Sequence, residues 1–161
     1  MLRRAVAFRN SRNPVYAGGM QVSDEEVLTR YPEVLIDHDC RDLFKGYLEH
    51  KLRIARCQDC GYYIHFPRRM CPTCWSCNVQ AEAVSGRGSV YLLCFYHQGR
   101  GTAGAYREPW PAVSIELEEQ ARLRFTATLV HCKKEQMRIG MEVKLTWMDW
   151  KGAPIPVFEP A

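Results

Sequence analysis

The sequence lacks any apolar segment long enough to cross a membrane. A spanning helix needs about 18 to 20 consecutive apolar residues, and no stretch of the 161 residues approaches that length. The first residues also lack the apolar centre of a secretory signal. We therefore expect a cytoplasmic protein. A composition of 47% hydrophobic and 25% charged residues predicts one core of ordinary size with a small satellite module.

Motifs that carry chemistry are also scarce. The sequence has no glycine-rich phosphate loop, no paired-histidine metal motif and no serine nucleophile elbow. The short run Gly86-Arg-Gly88 precedes a predicted strand and indicates a turn, because it is too short to cradle a phosphate. These absences predict a protein without an active site of its own.

Acidic residues are missing from the first 23 positions, which hold Arg3, Arg4, Arg9 and Arg12. Once these four are set aside, the 22 basic residues fall to 18, equal to the 18 acidic residues. Proteins that follow a phosphate backbone usually carry excess positive charge on their folded surface. The neutral body therefore disfavours the alternative function that we consider for this sequence, the binding of single-stranded nucleic acid.

The eight cysteines, in contrast, are numerous, and four of them form two spaced pairs. Cys57 and Cys60 enclose two residues, as do Cys71 and Cys74, and ten residues separate the pairs. Each C-x-x-C turn can direct two thiolates at one ion, so two turns complete a tetrahedral zinc site. The sequence predicts a zinc ribbon in which all four positions are filled by protein, which makes the metal structural.

Other uses of these cysteines are open at this point. Iron can be held by the same four thiolates, and two disulfides are possible in an oxidising compartment. Cys77 also forms a C-x-x-C pair with Cys74, but Pro72 favours Cys71 as the ligand. Trp75 occupies a turn position where glycine would be more comfortable. The remaining thiols lie in apolar stretches and are predicted to be buried: Cys40, Cys94 and Cys132.

Two helices are predicted before the ribbon. Ser23 and Glu26 form a capping box that starts a short helix ending near Arg30, before Pro32. A second helix is predicted to start at residues 37–39, where acids favour its positive end. Its apolar stripe recurs at helical spacing and is predicted to pack against the ribbon or a partner subunit: Cys40, Leu43, Phe44, Tyr47 and Leu48.

The pattern after the ribbon is that of short strands separated by turns. Five or six strands in about 80 residues indicate a small barrel, and the OB-fold is the common solution of that size. The predicted fold class is therefore mainly β, with N-terminal helices, a four-cysteine zinc ribbon and a C-terminal OB-fold barrel. The predicted divisions are a basic arm with a short helix over 1–37, a helix plus ribbon over 38–80, and the barrel over 81–161. The predicted strands are 81–84, 89–97, 112–117, 122–130, 142–149 and 155–158.

Several motifs occur in a fixed order from about residue 40 to the end of the sequence. Leu43-Phe-Lys-Gly46 is followed by Cys60-Gly61, by Phe66-Pro67-Arg68, by Ser85-Gly-Arg-Gly88 and by Arg138-Ile-Gly-Met141. Together with the cysteine quartet, they resemble the acyl-CoA-associated OB-fold family that carries an N-terminal rubredoxin-like zinc ribbon. Trp75 and Cys77 depart from the usual pattern of that family.

The resemblance implies a function as well as a fold. Members of the family are similar in being accessory subunits of thiolase-type enzymes, in which the thiolase supplies the catalytic cysteine and the CoA thioester lies at or near the interface. The most specific substrate that the resemblance suggests is an aromatic acyl-CoA, such as benzoylsuccinyl-CoA in anaerobic toluene degradation. Because CoA carries phosphates, arginines are natural contacts. The hypothesised contacts to CoA or to the partner are Arg68, Arg69, Arg100 and Arg107.

Overall fold

The computed structural model describes residues 22–96 and 109–161. The predicted basic arm up to residue 21, together with Arg100 and Arg107, lies outside the described residues. The helices are α1 (Asp24–Arg30), α2 (Arg41–Leu48) and one 3-10 turn (Lys134–Gln136). The strands are β1 (Arg53–Cys57), β2 (Tyr63–Ile64), β3 (Val79–Ala83), β4 (Arg87–Tyr96), β5 (Trp110–Leu117), β6 (Arg124–Ala127), β7 (Glu142–Trp150) and β8 (Ala153–Pro160).

The first helix begins at a side-chain cap, and the second does not. The Ser23 hydroxyl accepts a hydrogen bond from the amide of Glu26 at 3.0 Å, as the sequence predicts. The second helix begins at Arg41, later than predicted. The reason is that the Asp37 carboxylate accepts the amides of Asp39 and Cys40, which closes a separate turn ahead of the helix.

The first helix is tied to the turn between β7 and β8. The Tyr31 hydroxyl donates to the carbonyl of Pro154 at 2.6 Å, and burial raises the pKa of this phenol to about 12. Lys151 pairs with Glu33 at 2.5 Å, and the Arg30 guanidinium donates to the carbonyl of Gly152. The helix is therefore held against the barrel by groups more than a hundred residues away in sequence.

The ribbon is a three-stranded antiparallel sheet in the order β2-β1-β3. It has a small core of its own, separate from the main one, that contains Ala55, Cys57, Ile64 and Cys71. The middle strand of the ribbon in sequence, β2, is short and covers only Tyr63 and Ile64. A core of this size cannot supply much stability through apolar burial alone.

The remaining strands form a five-stranded antiparallel sheet in the order β6-β5-β4-β7-β8. The sheet curls until its two edges approach, where Leu129 bridges Phe158 in parallel fashion. The amide of Val130 donates to the carbonyl of Phe158 at 2.8 Å at this closure. The topology is that of an OB-fold, so the predicted fold class is confirmed.

The apolar stripe of α2 packs against the barrel as well as against β1. The Tyr47 ring meets Trp147 of β7 edge to face at 5.8 Å, and Leu43 and Tyr47 belong to the same core as barrel residues such as Phe158. The prediction that the stripe packs against the ribbon is confirmed by its contacts with β1 and β3, but that prediction omitted the barrel. The division at residues 37 and 80 stays a prediction.

The prediction of three buried thiols also needs correction. Cys94 is exposed, whereas Cys40 and Cys132 are half-buried. Cys94 lies in β4 beyond a bulge between Val90 and Leu92, which changes the face on which the following side chains lie. Among the residues that the structure describes, no helix is long and apolar enough to span a membrane.

Candidate metal centre and junction pocket

The four cysteines of the predicted ribbon converge on one point. The Sγ atoms of Cys57, Cys60, Cys71 and Cys74 all lie within 4.8 Å of one another. The Cys57–Cys74 and Cys60–Cys71 separations are 3.5 and 3.6 Å. Four sulfurs placed tetrahedrally about 2.3 Å from an ion lie about 3.8 Å apart, so the arrangement fits such an ion. Cys77 is exposed and lies outside this group.

Both cysteine turns have the same backbone geometry. The amide of Gly61 donates to the carbonyl of Cys57 at 2.9 Å, and that of Trp75 donates to the carbonyl of Cys71 at 3.0 Å. Gly61 takes a φ of 76° and Trp75 a φ of 62°. The second turn thus holds a bulky residue in the left-handed region, where glycine is favoured. The structure explains why the sequence pattern at Trp75 is unusual.

The backbone around the sulfurs favours thiolates. The amide of Thr73 donates to the sulfur of Cys71 at 3.4 Å. Burial opposes ionisation of Cys71, yet the amides of Cys74 and Thr73 outweigh it and lower the pKa of this thiol to about 6. For Cys74, the amide of Ser76 favours the thiolate, but the neighbouring sulfurs raise its pKa to about 12. Metal binding must therefore release protons from this site.

All four coordination positions are supplied by protein side chains. Cys57 and Cys71 are fully buried, and Cys60 and Cys74 are exposed at the rim of the ribbon. A site with four thiolate ligands leaves no position for water or substrate, which is the mark of a structural metal. The metal supplies no chemistry beyond holding the two turns together.

A second site lies between the ribbon and the barrel, where a pocket of about 250 Å³ opens to solvent. The pocket, which we call the junction pocket, is lined by aromatic and basic side chains, among them Tyr62, His65, Phe66, Arg68 and Arg122. Gln120 joins the two sides of the pocket. Its side-chain carbonyl accepts a hydrogen bond from the Tyr63 N–H at 2.8 Å, and its side-chain NH2 donates one to the Tyr63 carbonyl at 3.2 Å. Ribbon and barrel therefore meet through a reciprocal hydrogen-bonded pair.

The junction pocket is lined by two arginines that have no acidic partner among the described residues, Arg68 and Arg122. Arg122 takes a φ of 66°, so its backbone is held in the left-handed region at the mouth of the pocket. The rings of Tyr62 and Phe66 are exposed beside them. Only Arg68 was predicted as a contact; Arg122 was predicted merely as the start of a strand.

The other hypothesised arginines have different surroundings. Arg69 pairs with Asp39 at 3.0 Å, which occupies its charge. It lines a separate cleft of about 450 Å³ between α2 and the ribbon, and Arg68 borders this cleft as well as the junction pocket. Arg100 and Arg107 lie outside the described residues, so their part in any site stays a prediction.

His65 is the titratable group at the centre of the junction. Its ring stacks on Phe66 at 4.5 Å and lies 5.0 Å from Phe125 of the barrel. Its Nδ1 atom is buried without a hydrogen-bond partner, and burial lowers its pKa to about 4. His65 is therefore neutral in the folded protein, because its buried Nδ1 has no group there to accept a proton from the charged form.

This geometry predicts a loss of stability in acid. Unfolding restores the pKa of His65 to its ordinary value near 6.5, so the unfolded chain binds more protons below that pH. The free energy of unfolding is unaffected by His65 above about pH 6.5. It falls as the pH drops towards 4, by up to about 3 kcal/mol. His65→Phe should show a shallower loss of unfolding free energy between pH 7 and 4.5 in zinc-saturated urea titrations. His38→Phe, which changes an exposed histidine, is the control, and equal slopes for all three proteins would contradict this role.

Two family models match the chain over adjacent ranges. The rubredoxin-like zinc ribbon domain of ChsH2 matches residues 44–79, and the C-terminal OB-fold domain of ChsH2 matches residues 81–148. The first range contains the cysteine quartet and the second contains most of the barrel. Together they cover about two thirds of the chain.

Curated relatives share the same region. A Thermomonospora curvata protein named probable enoyl-CoA hydratase alpha subunit is 30% identical over 131 residues, which are 81% of this chain and 40% of that protein. A DUF35 domain-containing scaffold protein of Methanocaldococcus jannaschii is 36% identical over 92 residues, 56% of this chain and 62% of that protein. The chain therefore spans less than two thirds of the length of these relatives.

Solved structures show the same architecture. A chain of the structure titled Ltp2-ChsH2(DUF35) aldolase is 29% identical, with a TM-score of 0.71 over 79% of this chain and 98% of that chain. A DUF35 protein of unknown function from Sulfolobus solfataricus shares the fold at 14% identity, with a TM-score of 0.55 over 83% of this chain and 92% of that chain. The cysteine quartet, the OB-fold topology and these matches together show that the chain belongs to the ChsH2-type DUF35 family of zinc-ribbon and OB-fold proteins.

Proposed function

We propose that this protein is a non-catalytic accessory subunit of an acyl-CoA enzyme, and that it binds the nucleotide end of the CoA thioester at the junction pocket. The observation that carries the proposal is a pocket lined by two arginines without an acidic partner among the described residues, Arg68 and Arg122, together with the exposed rings of Tyr62 and Phe66. CoA offers the matching chemistry, since it carries a 3′-phosphate and a diphosphate next to an adenine ring. Arginine binds phosphate through charged, geometrically fixed hydrogen bonds, and aromatic rings stack on bases.

The catalytic residues are assigned to the partner. The metal site of this chain is closed by four thiolates, and zinc is the ion that we propose for it. Reduced thiolates of this kind fit the cytoplasm, which we propose as the location. Metal analysis of the purified protein distinguishes zinc from iron, because a ferric four-thiolate site also absorbs visible light.

The partner that we propose is a thiolase-type catalytic subunit, as the family resemblance implies. The names of relatives support association with a catalytic subunit: one is an aldolase assembly that contains a DUF35 chain, and others are scaffold proteins. A hydratase-type partner is the second candidate, since a relative 30% identical over 81% of this chain is named as a hydratase alpha subunit. An aromatic acyl-CoA of the benzoylsuccinyl-CoA type stays our proposed substrate.

Isolation from native cells tests the assignment of a partner. We expect the tagged full chain to recover a thiolase-like subunit in near-stoichiometric amount, identified by mass spectrometry. A hydratase chain in its place would support the second candidate. Recovery of the protein alone, or with an absorbance ratio that shows bound nucleic acid, would contradict the proposal and favour the nucleic-acid alternative.

A pair of matched variants tests the pocket. Arg68→Ala combined with Arg122→Ala should weaken CoA binding by the complex at least about tenfold, because each charged hydrogen bond contributes about 1.5 to 3 kcal/mol. Arg69→Ala is the control, since its guanidinium is occupied by Asp39. Calorimetric titration with CoA gives both affinities. Equal dissociation constants for the double variant and the wild type would remove the junction pocket from the CoA site.

A further inference from the structure

Part of strand β4 has a neighbouring strand on one side only among the described residues. Strand β7 pairs with β4 only at Arg87, Gly88 and Ser89. The carbonyl of Val90 then accepts the amide of Gly140 at 2.7 Å, and from Leu92 onward the pairing within the described residues is with β5 alone. We call residues 92–96 the β4 edge. Among the described residues, only β5 pairs with this stretch, so its other side can bind another extended segment.

The β4 edge itself has no charged side chain and no proline. Natural edge strands are shielded by charges, prolines or a covering segment. Between Arg87 and Arg100 the sequence contains no lysine, arginine, aspartate or glutamate. Leu92 is 48% exposed and Tyr96 is 61% exposed. Ile139, 66% exposed, adjoins the start of the edge through the bond between Gly140 and Val90.

One charged group, Lys134, lies against the β4 edge, whereas Arg124 stands on β6, on the far side of β5. The Arg124 guanidinium lies 3.4 Å from the centre of the Tyr91 ring and binds Glu116. The Lys134 ammonium lies 4.8 Å from the centre of the Phe95 ring. An apolar strand with an ammonium group beside it suits a partner that presents a carboxylate there.

We propose that the β4 edge is the docking site of the catalytic subunit, which adds an uncharged extended segment to it as a further strand and places a carboxylate near Lys134. This inference rests on the proposed function, because it requires that such a subunit exists. The family neighbour titled as an Ltp2-ChsH2(DUF35) aldolase is an assembly in which the DUF35 chain is matched over 98% of its length. Strand addition would combine backbone hydrogen bonds with contacts to alternate side chains, Leu92, Cys94 and Tyr96.

Charge argues against a second copy of this chain as the occupant. Two copies paired antiparallel through the β4 edge would be related by a two-fold axis near Cys94. Phe95 of each copy would then lie close to the axis, on the same face of the combined sheet. The Lys134 ammonium over each Phe95 ring would lie there too. Two like charges would meet at the interface, which costs affinity. A different chain with a carboxylate at that position avoids the repulsion.

The test places charge in the edge and measures recovery of the partner. The full-length chain carrying Leu92→Lys with Tyr96→Lys is compared with the wild type and with Leu35→Lys, whose side chain is 98% exposed elsewhere. Each tagged protein is isolated from native cells, and the recovered catalytic subunit is identified and quantified by mass spectrometry. We expect the double variant to recover at least tenfold less subunit, and Leu35→Lys to match the wild type.

A second measurement separates docking from folding. A photoreactive benzoylphenylalanine in place of Tyr96, which keeps an aromatic side chain there, should cross-link to the catalytic subunit. Full recovery of the subunit by the double variant, or no cross-link from position 96 in an intact complex, would overturn the β4 edge as the docking site. Either result would leave the proposed function in place. A purified dimer that the double variant dissociates would show that a second copy occupies the edge. Failure of the wild type to recover any acyl-CoA enzyme would instead overturn the proposed function, and this inference with it.

Discussion

Cys71→Ser is expected to abolish metal binding and unfold the ribbon while the barrel remains folded. Cys71 is fully buried and belongs to both the thiolate group and the small ribbon core. The ribbon core contains only four buried residues, so its stability depends on the metal. A structural zinc site contributes about 10 to 16 kcal/mol of apparent binding free energy at pH 7, and this energy is folding energy.

Metal content and hydrogen exchange check this expectation. The wild type should hold one metal per chain by elemental analysis, and the Cys71→Ser protein should hold almost none. Amides of residues 57–78 should lose protection, whereas those of β4, β5 and β7 should keep it. Cys77→Ser is the matched control, because its sulfur is exposed and outside the cluster. Retained metal in Cys71→Ser, or its loss in Cys77→Ser, would show that the ligand set is different.

Gly88→Ala is expected to destabilise the barrel strongly. Gly88 does not have a positive φ, so the cost is steric rather than conformational. A Cβ atom at this position would lie 2.4 Å from the carbonyl oxygen of Glu116 and 2.9 Å from a methyl carbon of Ile115. These groups belong to the neighbouring strand β5, whose backbone cannot withdraw without breaking its pairing with β4. Overpacking of this kind costs about 3 kcal/mol.

Gly152→Ala separates steric cost from backbone conformation. Gly152 takes a φ of 85°, but a Cβ atom there would meet nothing within 4 Å. Its substitution should cost only about 1 kcal/mol, the penalty for a left-handed alanine. Urea titrations of both variants give the two free energies of unfolding. A loss for Gly88→Ala no larger than that for Gly152→Ala would mean that β4 and β5 can separate without cost.

The Gly88 result would also explain a sequence motif. Ser85-Gly-Arg-Gly88 is part of the resemblance to the family, but the sequence alone indicates only a turn. The structure gives each glycine a separate reason. Gly86 has a φ of 72° with Leu145 packed against its α-carbon, and Gly88 permits β4 and β5 to approach closely. The motif is therefore a packing requirement of the barrel rather than a phosphate-binding loop.

The sequence by itself determined the features that depend on short-range spacing. The cysteine pairs, the Ser23 cap and the β-rich pattern of the barrel follow from residues a few positions apart, because turns, caps and strand alternation are local. The prediction that Trp75 occupies a position suited to glycine follows for the same reason, and its positive φ confirms the interpretation.

Only the tertiary structure decided which distant groups meet. Arg68 follows the first ribbon turn and Arg122 precedes β6, and nothing in their spacing places both in one pocket. The open β4 edge arises because, among the described residues, β7 pairs with only the first three residues of β4. Such contacts depend on how a curled sheet brings its strands together, and the side-chain pattern of a single strand carries no record of its neighbours. The sequence therefore determined the cysteine quartet and the fold class. The packing of the ribbon on the barrel decided the junction pocket, and the pairing of strands in the curled sheet decided the β4 edge.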